Sequence, residues 1–328
     1  MRGFSIVICC YNSALRIEGT LKHIFSLTIL DKPLFEIIIV NNNSSDGTKE
    51  LAFSLERKYN YQQYIFKVVD EPNPGLSFAR IAGINAASFK VICFCDDDNH
   101  LNHDYILEAG KILDADTGIG IVGGLIHPRF SISVGHWVKD FYAAMAIGAQ
   151  ASKDDYVRWV FGAGMIIKKE IFENLTTNEI KLLLSDRSGN ILTSGGDSEI
   201  CILASFLGYK LYYSSKMILY HAISENRLKR NHYLRAKYNT IYPSVYLSIL
   251  DAIMSDRKIK SKKIYRNQLL SSMKKLIYFL PRIVLGSHQF YSFFSFYRTS
   301  QYFTWCVLNK KIFEETYSSI KRNLKIIS

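Results

Sequence analysis

Acidic side chains are scarce in the last third of this 328-residue chain. Residues 210–328 carry 22 Lys and Arg against 5 Asp and Glu, a balance of +17. Residues 1–209 carry 19 against 24, a balance of −5, and the two parts sum to the overall +12. A protein that coats nucleic acid with its whole surface would be basic throughout, so no nucleic-acid partner is expected. Cysteine is also sparse, and none of Cys9, Cys10, Cys93, Cys95, Cys201 and Cys306 forms a Cys-x-x-Cys pair. Four lie in apolar runs of strand length, so all six are expected to be reduced, small hydrophobic residues of a cytoplasmic protein. Long apolar runs are missing. The longest stretch near the C-terminus without Lys, Arg, Asp or Glu is Ile283–Tyr297, 15 residues, and a membrane-spanning helix needs roughly 20. At the start, MRGFSIVICCYN offers about eight apolar residues and no small-residue cleavage site, so no secretory leader is expected. Repeats and low-complexity linkers are absent. What remains is a globular composition, 48% apolar and 21% charged, sufficient for one large or two ordinary domains.

The first 125 residues alternate strand and helix. Apolar runs of strand length occur at Phe4–Cys10, Phe35–Val40, Ile65–Val69 and Val91–Cys95. Helical patterns separate them at Leu15–Leu27, Thr48–Tyr59 and Leu76–Ala87, the second opened by Ser45-Asp46-Gly47. Strands that are apolar along their whole length are buried on both faces, which predicts an α/β fold with a mostly parallel sheet. Val160–Ile167 and Leu211–Tyr220 are predicted as further strands. Ligands of such sheets sit beyond the C-terminal ends of the strands. Polar segments stand at all four ends: Tyr11-Asn12-Ser13, Asn41 to Gly47, Asp70 to Gly75, and Asp96-Asp97-Asp98-Asn99. Four such ends in succession point to one cleft.

Three adjacent carboxylates at a buried strand end repel one another unless a cation lies among them. Oxygen ligands suit Mg²⁺ or Mn²⁺. On an extended backbone Asp96 and Asp98 would share one side and Asp97 would face away; the other reading is a solvated acidic turn. Gly195-Gly196-Asp197-Ser198-Glu199 precedes an apolar helical run. Asp197 and Glu199 there are open to two readings, helix capping or a carboxylate general base for an incoming hydroxyl.

In order and spacing, I-V-I-C-C-Y-N, I-I-V-N-N-N-S-S-D-G-T, N-P-G-L-S-F-A-R, F-C-D-D-D-N, F-G-A-G-M and G-G-D-S-E resemble family 2 glycosyltransferases with the GT-A nucleotide-diphospho-sugar transferase fold. The resemblance covers roughly residues 4–240. It implies a nucleotide-sugar donor, a divalent Mn²⁺ or Mg²⁺ ion, and inverting transfer to an acceptor hydroxyl. Carried over position by position, it places Cys10, Tyr11 and Asn12 beside the nucleotide, with Cys10 where the family commonly has Pro. Asn41 stands where an Asp commonly reads the base. Arg80 lies near the base and its acidic partner, Asp96 near the ribose, and Asp98 is the metal ligand. Asp197 is the catalytic base. Gly196 replaces a common Glu, so Glu199 is a candidate for the missing support. His221 matches a His that approaches metal or pyrophosphate in a subgroup; a satisfied strand-end histidine is the alternative. Arg227 and Lys229 are candidates for the diphosphate, with Arg235 further on, or belong to the basic tail. Gly162 and Gly164 would let backbone approach sugar or acceptor, and Trp137 and Trp159 are candidates for stacking on sugar faces or for packing. No Gln-x-x-Arg-Trp segment follows Glu199, which suggests addition of a single sugar.

A soft boundary near residue 222 divides a catalytic domain, 1–222, from a helical, basic and aromatic extension, 223–328. Leu269, Leu270, Met273, Leu276, Ile277, Leu280, Ile283 and Val284 fall at helical spacing, and Pro281 is expected to kink or end the helix. Tyr278–Trp305 holds 11 aromatic residues among 28. This pattern fits a membrane interface, a homodimer contact, or packing on the catalytic domain. Attachment to an anionic cytoplasmic membrane face would suit a glycan or polyprenyl-diphosphate-linked acceptor. Competing functions are a nucleotidyltransferase, which would show a Gly-rich basic loop after the first strand, and an inactive scaffold of a glycan-assembly complex.

Overall fold

The computed structural model describes residues 3–28, 35–61, 64–184, 195–230, 232, 239–285 and 289–325. Arg235 lies outside them. Four parallel strands open the fold: β1 (Phe4–Cys10), β2 (Phe35–Asn41), β3 (Ile65–Asp70) and β4 (Val91–Asp96). Helices α1 (Ile17–Phe25), α2 (Thr48–Tyr59) and α3 (Leu76–Ala86) connect them. Then follow β5 (Asn99–Leu101), α4 (Tyr105–Ala115), β6 (Ile119–Phe130), β7 (Asp155–Val157), β8 (Ile166–Lys168), α5 (Glu170–Thr177), α6 (Gly196–Phe206) and β9 (Lys210–Ile223). The sheet order is β3-β2-β1-β4-β8-β6-β9-β5, with β7 also on β9.

The alternation of side chains explains why the strands read as unbroken apolar runs. Ile6 and Ile8 of β1 and Ile37 and Ile39 of β2 enter one core with α1, α2 and α4. Their neighbours Val7, Ile38 and Val40 enter the opposite core with α3, α5 and α6. Each fully buried Ile or Leu here contributes roughly 1.5–3 kcal/mol.

Register then assembles the cleft. Cys10 pairs with Asn41, Asn41 with Asp70, and Cys9 with Asp96. The polar strand ends therefore lie in one row along the C-terminal edge of the sheet.

Two sequence expectations change. Of the strand predicted at 160–167, only the end is regular, as Ile166–Lys168. Gly164 has φ +71° and its carbonyl accepts from Tyr105 Oη at 2.8 Å, so the preceding residues follow an irregular path. Pro281 does not end its helix, which runs on to Leu285. It falls in the last turn and a half, where its missing N–H costs the helix one hydrogen bond, to the Ile277 carbonyl.

Beyond β9 come α7 (Ile241–Ser255), α8 (Ser261–Leu285), α9 (Gln289–Leu308) and α10 (Lys310–Asn323). Val245, Tyr246, Ile249, Leu250 and Ile253 of α7 join the α3–α6 core, as do Ile264, Cys306, Phe313 and Ile320. Asn323 also exchanges two hydrogen bonds with the backbone of Lys181, at 2.9 and 2.8 Å. The C-terminal helices thus share the sheet's core. No helix among the described residues is long and apolar enough to cross a membrane.

At the β5 edge, His100 stacks on His23 with ring centroids 4.7 Å apart, and Arg129 Nη1 donates to His100 Nδ1 at 2.8 Å. Burial, then His23 and Arg129, pushes His100 down from 6.5 to about 4, against a weaker opposing pull from Asp98. The unfolded chain binds the extra proton between these values, so stability is lost as pH falls from 6.5 toward 4. The expected loss is on the order of 2 kcal/mol. Urea titrations across this window should show a shallower pH slope for His100→Gln than for the unaltered protein.

Candidate active site

The β1 and β2 ends are tied together by short side chains. Asn12, at φ +48°, accepts from the Ser45 N–H at 2.9 Å, and its own N–H donates to Ser44 Oγ at 3.1 Å. Asp46 accepts from Ala14 N–H at 3.0 Å and Thr48 N–H at 3.1 Å. Asn42 accepts from Gly75 N–H and donates to the carbonyls of Glu71 and Asn73, pinning β2 to the loop after β3. Tyr11 is half exposed on this rim. Cys10 differs from expectation. Its side chain is buried in the core and its thiol is pushed well up by burial, so only its backbone faces the rim.

Asn41 donates from Nδ2 to Asp70 Oδ1 at 3.0 Å. Because a carboxylate only accepts, this fixes the amide's orientation. Asn41 Oδ1 is left buried without a hydrogen-bond partner among the described residues. Asp70 is further held by Lys49 at 2.5 Å, and the two contacts hold its carboxyl below the ordinary range. Asp70 was visible in the sequence only as one polar residue of a strand end.

The three aspartates do not form an extended strand. The chain turns at Asp97-Asp98 between β4 and β5. Asn99, fully buried, shapes the turn: Oδ1 accepts from Asp96 N–H at 3.1 Å and Nδ2 donates to Asp98 Oδ1 at 3.2 Å. Asp97 faces away, as expected, and is held by Ser13 and Arg16, the latter at 2.5 Å. Asp96 is pushed up to about 6 by burial and by Asp98, with Arg80 opposing. An Asp96 carboxyl whose ionisation is disfavoured by burial and by its neighbour is the electrostatic condition a cation relieves.

β9 brings His221 to the turn, opposite Asn99 in register. Its Nδ1 lies 2.9 Å from the Met145 carbonyl. Its Nε2 lies 3.3 Å from Asp98 Oδ1 and 3.1 Å from Arg227 Nη1. A guanidinium only donates, so Nε2 is the acceptor and Nδ1 carries the proton. A backbone carbonyl on Nδ1 is the usual outer partner of a metal-ligating His. Arg227 also lies 3.4 Å from Asp98 Oδ2. Among the described residues no group of three or more His, Cys, Asp and Glu is set to hold a metal. Asp98 and His221 are the two neighbouring side chains here that could hold a metal ion.

Asp197 stands at the start of α6. Gly162 N–H donates to its Oδ2 at 3.0 Å, and a Cβ at Gly162 would collide with the carboxylate. Arg80 Nη1 lies 2.6 Å from Oδ1 as an electrostatic contact without hydrogen-bond alignment. Arg80 is buried against Phe94, its guanidinium 5.4 Å from the ring centroid. Arg80 thus stands beside the candidate general base, and its charge also reaches Asp96. Gly162 and Gly164 likewise admit protein side chains, Asp197 and Tyr105.

Glu199 is engaged within the protein. It is fully buried and accepts from Leu183 N–H and Leu184 N–H, both at 2.9 Å, and from Tyr246 Oη at 2.5 Å. It braces α6 against α7 and the 183–184 segment. No sequence signal singled out Tyr246. Trp159 is partly exposed at 44% beside Phe161, near the Gly162 loop. Trp137 packs on Phe141 under the guanidinium of Arg230, in a small core with Phe294.

A GT-A-like sheet, an aspartate turn at the β4 end and a carboxylate at the α6 start stand together with a match to the glycosyl transferase family 2 model over residues 5–176. This chain belongs to glycosyl transferase family 2. Its fold is GT-A. Among curated relatives, glycosyltransferase AglE of Haloferax volcanii is 26% identical over 220 residues, covering 66% of this chain and 66% of AglE. The match thus falls just short of two thirds of that relative's length. Among solved structures, the mannosyltransferase PcManGT from Pyrobaculum calidifontis, in complex with GDP-Man and Mn²⁺, aligns with TM-score 0.56 and 17% identity over 90% of this chain and 86% of that one. TarS 1-349 of S. aureus, in complex with UDP-GlcNAc, aligns with TM-score 0.52 and 14% identity over 99% and 82%. At these identities the two structures speak to the fold.

Proposed function

We propose that this family 2 enzyme transfers a single sugar, with inversion, from a UDP-linked donor to a hydroxyl of a glycan or polyprenyl-diphosphate-linked acceptor in cell-surface polysaccharide assembly. The observation that carries the reading is the convergence of Asp96, Asp98 and His221 on one side of the cleft with Asp197 on the other. Asp197 Oδ2, held by Gly162 N–H, takes the proton of the acceptor hydroxyl as that oxygen attacks the anomeric carbon from the face opposite the diphosphate. Arg80 and Gly162 fix the carboxylate in advance, so little reorganisation accompanies attack. Asp98 and His221 would hold Mn²⁺ or Mg²⁺, and the ion supplies charge neutralisation for the departing nucleoside diphosphate. Arg227, 3.1 Å from His221, donates to the same phosphate oxygens. Trp159 offers a face to the sugar or acceptor.

Uracil as the base is supported by the buried, unpartnered Asn41 Oδ1, an acceptor suited to the uracil N3–H. Half-exposed Tyr11 supplies a surface for the ring. The test is a thermal-shift panel of nucleoside diphosphates with Mn²⁺. Uridine diphosphate at a hundredfold excess over its Kd should stabilise the protein by about 2.7 kcal/mol. A shift with guanosine diphosphate and none with uridine diphosphate would overturn the base assignment.

Peripheral attachment to the anionic cytoplasmic face of the inner membrane is supported by α8. One outward face carries Lys262, Lys263, Arg266 and Lys274 together with exposed Leu270, Met273, Ile277 and Leu280. Residues 257–313 contain 12 Lys and Arg and no Asp or Glu.

A further inference from the structure

Away from the donor cleft, α7, α8 and α9 enclose a groove of about 430 Å³. Its lining combines apolar Ala252, Ile259 and Ile264 with polar side chains and holds no carboxylate. Ser244 and Ser248 come from α7, Asn267, Gln268, Ser271, Ser272 and Lys275 from α8, and Arg298, Thr299 and Tyr302 from α9. Some of these groups satisfy one another. Tyr302 Oη donates to Gln268 Oε1 at 2.8 Å, and Gln268 Nε2 donates to Ser248 Oγ at 2.5 Å. The cations are different. No carboxylate of the described residues pairs with Lys275 or Arg298, and the contact from Arg298 Nη2 to Ser244 Oγ is long, 3.4 Å.

We infer that this groove binds a phosphate group, with Lys275 and Arg298 as the charged contacts and the Asn267 amide and Ser271 hydroxyl as neutral donors. A tetrahedral oxyanion matches that set, because a guanidinium and an ammonium together neutralise it and the remaining donors have acceptors to meet. The groove also borders the catalytic region. Ser244 follows Pro243, which lies 3.5 Å from where a Cβ on Gly195 would sit, at the start of the helix carrying Asp197. The phosphate belongs either to an acceptor or to a membrane lipid, and the inference depends on the groove's lining and not on the transfer reaction.

The test uses the full chain and calorimetric titration with inorganic phosphate. The pair Lys275→Gln with Arg298→Gln should weaken one phosphate site about tenfold, two charge-assisted contacts being lost in part-exposed surroundings. The pair Lys90→Gln with Lys139→Gln, equal in charge but exposed on the surface away from α8, should leave that site unchanged, and Arg298→Lys should retain it. Both groove cations are exposed, so the fold should persist, as an unaltered melting curve would verify. Identical isotherms for the groove pair and the unaltered protein, or equal weakening by both pairs, would overturn the site. A second arm locates the phosphate, using phosphatidylcholine vesicles with and without phosphatidic acid. If the groove pair alone loses sedimentation with the anionic vesicles, the site takes a lipid headgroup. If sedimentation is unchanged while the phosphate site is lost, the site takes an acceptor phosphate.

Discussion

Asp197→Asn should lower turnover by about two to four orders of magnitude, the range that a positioned general base contributes. Asparagine keeps the shape of the side chain and an oxygen that can accept from Gly162 N–H, now 3.0 Å from Asp197 Oδ2. What it loses is the capacity to take a proton. The substitution also removes the anion facing Arg80, whose guanidinium is 2.6 Å away and buried. A buried cation with its partner removed is costly in general. Here Asp96 already feels Arg80, so that charge is not abandoned. Donor binding, built from the β1–β4 ends and the Asp98–His221 pair, should therefore survive. Measuring turnover and nucleotide-induced thermal shift on the same preparation separates the two. Turnover within tenfold of the unaltered enzyme, with a normal thermal shift, would remove Asp197 as the base.

Glu199→Ala should act in the opposite sense, on the fold more than on chemistry. Its carboxylate receives two backbone N–H groups and a tyrosine hydroxyl in a fully buried position. Truncation leaves three donors unsatisfied, and a loss of about 3–5 kcal/mol is expected. Chemical denaturation would measure it directly. Tyr246→Phe removes one of the three donors while leaving the carboxylate its two N–H partners, so its effect should be smaller, about 1 kcal/mol. A Glu199→Ala protein of unchanged stability and abolished turnover would restore Glu199 to the catalytic machinery.

These two carboxylates, two residues apart, mark how far the sequence could be read. Burial on both sheet faces writes itself into composition, so β1 to β4 and their polar ends were legible. The carboxylate pair Asp96 and Asp98 was legible too, though for a different geometric reason: a turn braced by Asn99 brings the groups together where an extended strand had been expected. Asp197 and Glu199 both stood at a helix start, where capping and catalysis use the same residue types. Their separation depends on which side of α6 is covered, and that is decided by α7, more than forty residues later in the chain. Tyr246 had no motif to announce it, because a tyrosine at helical spacing in an apolar run reads as packing. Arg80 was found by resemblance, but its partner became visible only once α3 and α6 were seen to face the same edge of the sheet.

The brace between α7 and α6 also sets the size of the smallest functional unit. The family match ends at residue 176, yet Asp197, the histidine and arginine at the aspartate turn, and the tyrosine that anchors the Asp197 helix all follow it. The C-terminal helices therefore brace the element that carries Asp197. Surface changes on α7 would be felt at Asp197 through the Tyr246–Glu199 brace, two residues along the same helix.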